Sequence, residues 1–234
     1  MTVRTVPGSS AEEAVWRTAL EVAAMFRDWP WVLVGAQMVI VLELEHGRPS
    51  ARTTGDVDVV VDVRVVAGVT RLAAERLGKA GFEPVAEHPH RFARGGDLVD
   101  LLAPDHLSPR TDLTTIPPLT TIGIPGGRRA LETRRAVAVE IVGVGGGDLP
   151  IPSVAGALVV KVRAYQARRT DRDLEDLVRL LGLVVDVEAV RSELEPRERT
   201  RLGSISALRD EDHPAWSVLV DPDDARAALG RLAD

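Results

Sequence analysis

Two aspartates stand two residues apart in the stretch Arg52-Thr53-Thr54-Gly55-Asp56-Val57-Asp58-Val59-Val60-Val61-Asp62. Side chains alternate along a strand, so Asp56 and Asp58 project from one face while Val57, Val59, Val61 and Val63 project from the other. Two carboxylates so placed can share a hard divalent cation, which takes oxygen ligands and offsets their mutual repulsion. An amphipathic strand that merely shows a polar face to water has the same pattern, and Asp62 on that face fits it equally well. A third acid, Asp100, lies in the apolar run Leu98-Val99-Asp100-Leu101-Leu102. An unpaired carboxylate is costly to bury, so Asp100 faces solvent, meets a cationic partner or binds metal. Of 29 basic residues only Lys79 and Lys161 are lysine, so Lys161, inside Val159-Val160-Lys161-Val162, departs from the chain's own habit. The plain reading of Lys161 is a stem packed on core with its ammonium in water. His88 and His90 flank Pro89 and read as surface, with no role assigned.

The elements that must position these groups follow from spacing. Ser9 or Ser10 caps a helix from Ser10 to Asp28, with Glu12 and Glu13 in its first turn. Trp31 to Val34 is a short buried strand ending at Gly35, and the helical stretch Ala36 to Glu45 follows. Strand, glycine, helix is a junction at which backbone can approach a ligand and free N–H groups can meet phosphate, although an ordinary tight turn has the same sequence. The acidic strand comes next, then a helix over residues 67–80 closed by Gly81 and a strand over 82–86. His90 to Leu102 reads as two strands joined at Gly95-Gly96. Residues 103–121 form a surface excursion, and Ala136 to Val142 is a strand that ends in Gly143 to Gly147. That glycine run lacks the Lys-Ser/Thr of a P-loop and reads as a hinge or turn. From Ile151 onward helical spacing dominates, with a Ser153-capped helix over 154–168 and a second to Leu181. Further helices are expected over 186–194, 198–208 and 223–232. Asp173 and Asp176 on the second helix have the spacing of surface ion pairs with Arg169 and Arg172.

Composition sets bounds around these motifs. A chain of 234 residues with 45% hydrophobic content builds one large domain or a core plus a smaller one. Cysteine is absent, which excludes disulfides, thiolate metal sites and cysteine nucleophiles. No stretch approaches the roughly 20 apolar residues of a membrane span, and the N-terminus lacks a signal-peptide core, so a cytoplasmic location with no membrane partner is expected. A net charge of −6 argues against a globally basic nucleic-acid binder.

Taken in order, Val34-Gly35-Ala36, Arg52-x-Thr54-x-Asp56-x-Asp58, Leu98-Val99-Asp100-Leu101-Leu102 and Lys161-x-x-Ala164-x-x-x-Arg168-x-x-x-Arg172-Asp173-x-x-Asp176-Leu177 resemble the AbiEii/AbiGii-type nucleotidyltransferases of the polymerase-beta-like superfamily. The resemblance spans roughly residues 30 to 181. It implies an α/β (α+β) core with a mixed sheet flanked by helices over residues 1–150 and a helical C-terminal domain over 151–234. It further implies that Asp56, Asp58 and Asp100 hold two Mg²⁺ ions, or Mn²⁺, for in-line attack on the alpha-phosphorus of a nucleoside triphosphate, with pyrophosphate leaving. In that reading Asp100 binds the catalytic metal and helps deprotonate the acceptor hydroxyl, Gly35 and the helix start after it cradle phosphate, and Lys161 neutralises the leaving group. Arg52 and Thr54 would position the acidic strand or touch phosphate, and Asp173 or Asp176 would orient Lys161 or the acceptor. One departure concerns Ala36, where the superfamily commonly has a small hydroxyl or a second glycine, so backbone N–H groups and a cation would have to hold the triphosphate.

The resemblance also implies an acceptor and a partner: RNA, at the tRNA 3′ end, and a separate antitoxin that neutralises a toxin. Arginines at 128, 129, 134, 135, 163, 168, 169 and 172 could form a track for an RNA backbone, or simply be scattered surface charge in an arginine-rich chain. Aromatics are 3% of residues, so no base-stacking platform is evident. A small-molecule nucleotidyltransferase of the antibiotic-modifying kind and a non-catalytic nucleotide-binding regulator are the alternatives.

Overall fold

In the computed structural model, which describes residues 2–234, the chain opens with strand β1 (Thr2–Thr5) and helix α1 (Ser10–Phe26). It continues through β2 (Trp31–Leu33), α2 (Gly35–Glu45), β3 (Asp56–Val61), α3 (Val69–Lys79), β4 (Glu83–Val85), β5 (His88–Arg94) and β6 (Asp97–Pro104). A short β7 (Gly123–Ile124) and α4 (Gly127–Glu132) lead to the hairpin β8 (Arg134–Ile141) and β9 (Gly145–Pro152). Helices follow: α5 (Val154–Arg168), α6 (Asp171–Gly182), α7 (Val187–Glu193), α8 (Pro196–Gly203), α9 (Ser206–Arg209) and α10 (Asp223–Ala233), with a 3-10 turn at Pro214–Val218. Hydroxyl caps fix three of the starts that matter. Ser9 accepts from the Glu12 N–H at α1, Ser153 from Gly156 at α5 and Thr170 from Asp173 at α6.

The main sheet runs in the order β2-β3-β6-β5-β4, with β7 alongside β6. β3 and β6 are parallel, while β2 against β3, β6 against β5 and β5 against β4 are antiparallel, so the sheet is mixed. Val57, Val59 and Val61 enter the larger core with Phe26, Phe92 and Leu101. The opposite face of β3 is covered too, but only beyond the acids: Val60 packs with Val32, Val34 and Leu102 under Ala130 and Leu131 of α4 and Val160 of α5. The acids therefore stand where the helical cover stops. Leu177 and Leu232 from the C-terminal helices share the larger core with Val59 and Phe92. Among the described residues no helix is long and apolar enough to cross a membrane.

Four features differ from the expectations. β1 and β9 belong to a second sheet of order β1-β8-β9 that periodicity did not reveal. Within the run expected to be a hinge or turn, Gly143, at φ +81, makes the turn, whereas Gly145 to Gly147 already pair with Ile141 to Val139. A Cβ on Gly146 would lie 2.8 Å from the Val139 carbonyl oxygen, so close strand contact demands glycine where glycine normally signals a loop. The helix expected over 198–208 breaks at Ser204-Ile205. Asp62 is not surface: it is 4% exposed and held by the Arg64 guanidinium through bonds of 2.8 and 2.9 Å. Burial pushes its carboxyl up, but Arg64 outweighs that and holds it below the usual range.

Candidate active site

Register brings the three acids together. Asp58 on β3 lies directly opposite Asp100 on the parallel strand β6, and Asp56 begins the same face of β3. One carboxylate oxygen from each of Asp56, Asp58 and Asp100 lies within 4.8 Å of the others. That is the spacing of oxygens around a common hard cation. Asp100 is 6% exposed, whereas Asp56 and Asp58 border open space. Burial, then the nearby charges of Asp56 and Asp100, push the Asp58 carboxyl from 3.8 up to about 7; the cations of Lys161 and Arg91 pull the other way. Asp58 keeps some exposure along the cleft, so water limits the energy this shift represents. A site that repels its own third charge fits a divalent cation chemically, and the acids offer it only oxygen donors.

Gly35 sits at the start of α2 with φ +70, and Val34 donates its N–H to the Asp58 carbonyl at 2.9 Å. A Cβ there would lie 1.9 Å from Asp58 Oδ2, so only glycine lets the helix start come this close to the acid. No side chain caps α2, which leaves its first N–H groups available to an anion. Ala36, the next residue, is buried at 6% exposure and offers no hydroxyl. A cleft of about 230 Å³ opens beside this junction, lined by Gly35, Asp58, Lys161 and Arg168 among apolar residues such as Ile124 and Val160.

Lys161 does not snorkel. It is 4% exposed, and its Nζ lies 2.7 Å from Asp176 Oδ2 and 3.9 Å from Asp173 Oδ1. Asp176 is fully buried and also accepts from Arg52 Nε at 2.9 Å. Asp173 accepts from Arg168 at 2.7 and 3.0 Å and from the Thr170 hydroxyl at 2.7 Å. Burial pushes the Asp173 carboxyl up, and those partners more than reverse it. The expected surface pairs with Arg169 and Arg172 are thus replaced by a chain of ion pairs that runs from partly buried Arg52 through buried Asp176, Lys161 and Asp173 to exposed Arg168 and ties the lead-in to β3 onto α5 and α6. Thr54 Oγ1 donates to Asp56 Oδ1 at 2.8 Å, so Thr54 braces the first acid.

One residue of the site was not anticipated. Arg91 on β5 is the cross-strand partner of Asp100 and donates from Nε and Nη2 to both of its oxygens, at 2.7 and 2.8 Å, and from Nη2 to Asp56 at 3.0 Å. Its own hydrogen bonds to Asp100 raise its pKa, so it is charged throughout. Five of the eight arginines of the suggested track are also paired with acids: Arg128 with Glu132, Arg129 with Glu198, Arg135 with Glu45, Arg163 with Asp105 and Arg168 with Asp173. The rings of His88 and His90 lie 6.1 Å apart on β5, tilted by 58° to one another, and do not join the acids.

No protein-family model matches the chain, and no curated protein matches its sequence. Among solved structures it is similar to the crystal structure of an antigenic nucleotidyltransferase-like protein from Paracoccidioides brasiliensis. The two share 19% identity with a TM-score of 0.52, over 91% of this chain and 95% of that one. The fold is therefore nucleotidyltransferase-like, and an acidic triad able to bind metal stands in it.

Proposed function

We propose that this chain is a Mg²⁺-dependent nucleotidyltransferase that moves a nucleoside monophosphate from a nucleoside triphosphate to an acceptor hydroxyl and releases pyrophosphate. The observation that carries the reading is the convergence of Asp56, Asp58 and Asp100 from two strands, with Asp58 lining a cleft that also holds Gly35 and Lys161. A divalent cation on the three carboxylates would neutralise charge building on the alpha-phosphate and on the attacking and departing oxygens. The α2 amides beyond Gly35 bind the phosphates, and the absence of a hydroxyl at Ala36 leaves that task to backbone. Lys161, fixed by Asp176 and Asp173, presents a compact positive charge at the cleft wall. Asp100, in the role the resemblance gives it, would take the hydroxyl proton. Residues 1–150 act as the catalytic core and 151–234 as the helical part that closes the cleft.

The acceptor has two readings. The AbiEii/AbiGii resemblance favours RNA, the tRNA 3′ end, with the chain as a cytoplasmic toxin held by an antitoxin. The pairing of Arg128, Arg129, Arg135, Arg163 and Arg168 with acids favours a small-molecule acceptor instead, since these arginines of the track are already engaged and would have to leave their partners to meet a phosphate backbone. Incubation of labelled nucleoside triphosphates with Mg²⁺ and total RNA separates them: labelled tRNA supports the first, and pyrophosphate release only with added hydroxyl-bearing small molecules supports the second. Nucleotide binding without release under any acceptor or metal would instead make the chain a regulator. Asp58→Asn is expected to abolish transfer, and full activity in that variant overturns the proposal.

A further inference from the structure

Two of the three carboxylates share one guanidinium. Arg91 takes both oxygens of Asp100 and one of Asp56, while Asp58 receives no hydrogen bond from it. The Asp100 contact is two-pronged and set by the β5–β6 register, the geometry in which arginine holds carboxylate best. The Asp56 contact is single, longer, and uses the same Nη2 that already serves Asp100. The Arg91 side chain is 27% exposed and that of Asp56 31%, so this second contact stands at the open side of the site, whereas the Asp100 side chain is 9% exposed. Once Asp58 has given up its proton, three negative charges less one positive charge leave two, the charge of a single divalent ion.

We propose that Arg91 is the resident counter-cation of the triad: it keeps Asp56 and Asp100 together when no divalent ion is bound, and it yields Asp56 while keeping Asp100 when one arrives. Like charges within a few ångströms oppose each other, so the guanidinium and the ion compete for the same oxygens and Arg91 sets the threshold concentration at which the site loads. This rests on the metal-dependent reading given above. It assigns Arg91 a positioning role, and it predicts that without nucleotide one divalent ion binds rather than two.

The test is Mn²⁺ binding followed by the loss of the free-ion EPR signal, without nucleotide, on the wild type, Arg91→Met and Arg91→Lys. Arg91→Met should bind Mn²⁺ at least about tenfold more tightly than the wild type, because a competing charge is gone. Arg91→Lys, which keeps the charge but not the two-pronged grip, should stay nearer the wild type. In the same samples without metal, Arg91→Met should melt lower than the wild type and gain more from Mn²⁺, a signature that an arginine buttressing the strands only mechanically would not give. Unchanged or weaker Mn²⁺ binding in folded Arg91→Met overturns the competition while leaving the triad a metal site. No binding in any of the three proteins overturns both the competition and the metal-dependent reading. Binding in Arg91→Met alone supports the competition in its strongest form.

Discussion

Gly35→Ala tests the closest approach in the site. The added Cβ would stand 1.9 Å from Asp58 Oδ2, 2.7 Å from Asp58 Cγ and 3.0 Å from Asp58 Cβ, at a residue whose φ is +70. The left-handed backbone alone costs an alanine about 1 kcal/mol. The collision forces the Asp58 carboxylate out of its position, which adds about 1–3 kcal/mol as overpacking. A total of about 2–4 kcal/mol lowers the melting temperature of a chain this long by roughly 4–16 °C. The two parts separate in a double-mutant cycle with Asp58→Ala, which removes the Oδ2 and Cγ contacts and leaves the φ cost. The coupling between the two substitutions should be about 1–3 kcal/mol by denaturant unfolding. Mn²⁺ affinity of Gly35→Ala should fall at least about tenfold, as one of three oxygen donors swings away. Zero coupling, or wild-type Mn²⁺ affinity in Gly35→Ala, refutes the steric account of why this helix starts with glycine.

Two further outcomes follow from charge. Because the Asp58 pKa is raised from 3.8 to about 7, the folded chain keeps a proton that the unfolded chain loses above about pH 4. Its stabilising contribution is complete below that pH and drains away as pH rises to about 7. Asp58→Asn cannot lose the proton, so without divalent ions its stability advantage should widen between pH 4 and 7 toward a ceiling of about 4 kcal/mol; an advantage that shrinks with rising pH, in melts across that window, contradicts the origin given for the shift. Added Mg²⁺ should close the gap from the wild-type side. Lys161→Met leaves Asp176 buried with Arg52 as its remaining partner and should cost about 3 kcal/mol, most of it recovered in the Lys161→Met, Asp176→Leu pair; equal losses in single and double variants would show that the two charges do not compensate one another.

Local signals made much of the site legible. Alternation in Asp56 to Val61 gave the strand and its two faces, an acid in the apolar run around Asp100 marked a residue needing a partner, and Ser153 placed the start of α5. Asp173 and Asp176 were harder, since i, i+3 spacing is the same for a solvated ion pair as for a buried one; tertiary packing of α6 against α5 decided it. Arg91 is one arginine among many, yet a signal for it exists. The turn at Gly95-Gly96 pairs Arg94 with Asp97, and counting three residues outward along each strand sets Arg91 across from Asp100. β9 was illegible because its glycines serve contact with β8, a long-range demand that local propensity cannot express.

The step from Asp58 to Val60 has a consequence for how the chain finds its fold. These residues share a face of β3, the first opening to the cleft and the second sealed beneath α4 and α5. Sliding β3 by one residue along β6 would turn Asp56 and Asp58 into the core around Phe92 and push valines out into water. Desolvating two carboxylates there costs several kcal/mol each, more than a misaligned ladder of equal length could return. The same acids that equip the cleft thus act as proofreaders of strand alignment, so neutralising both should loosen the uniqueness of the sheet even where it raises thermal stability.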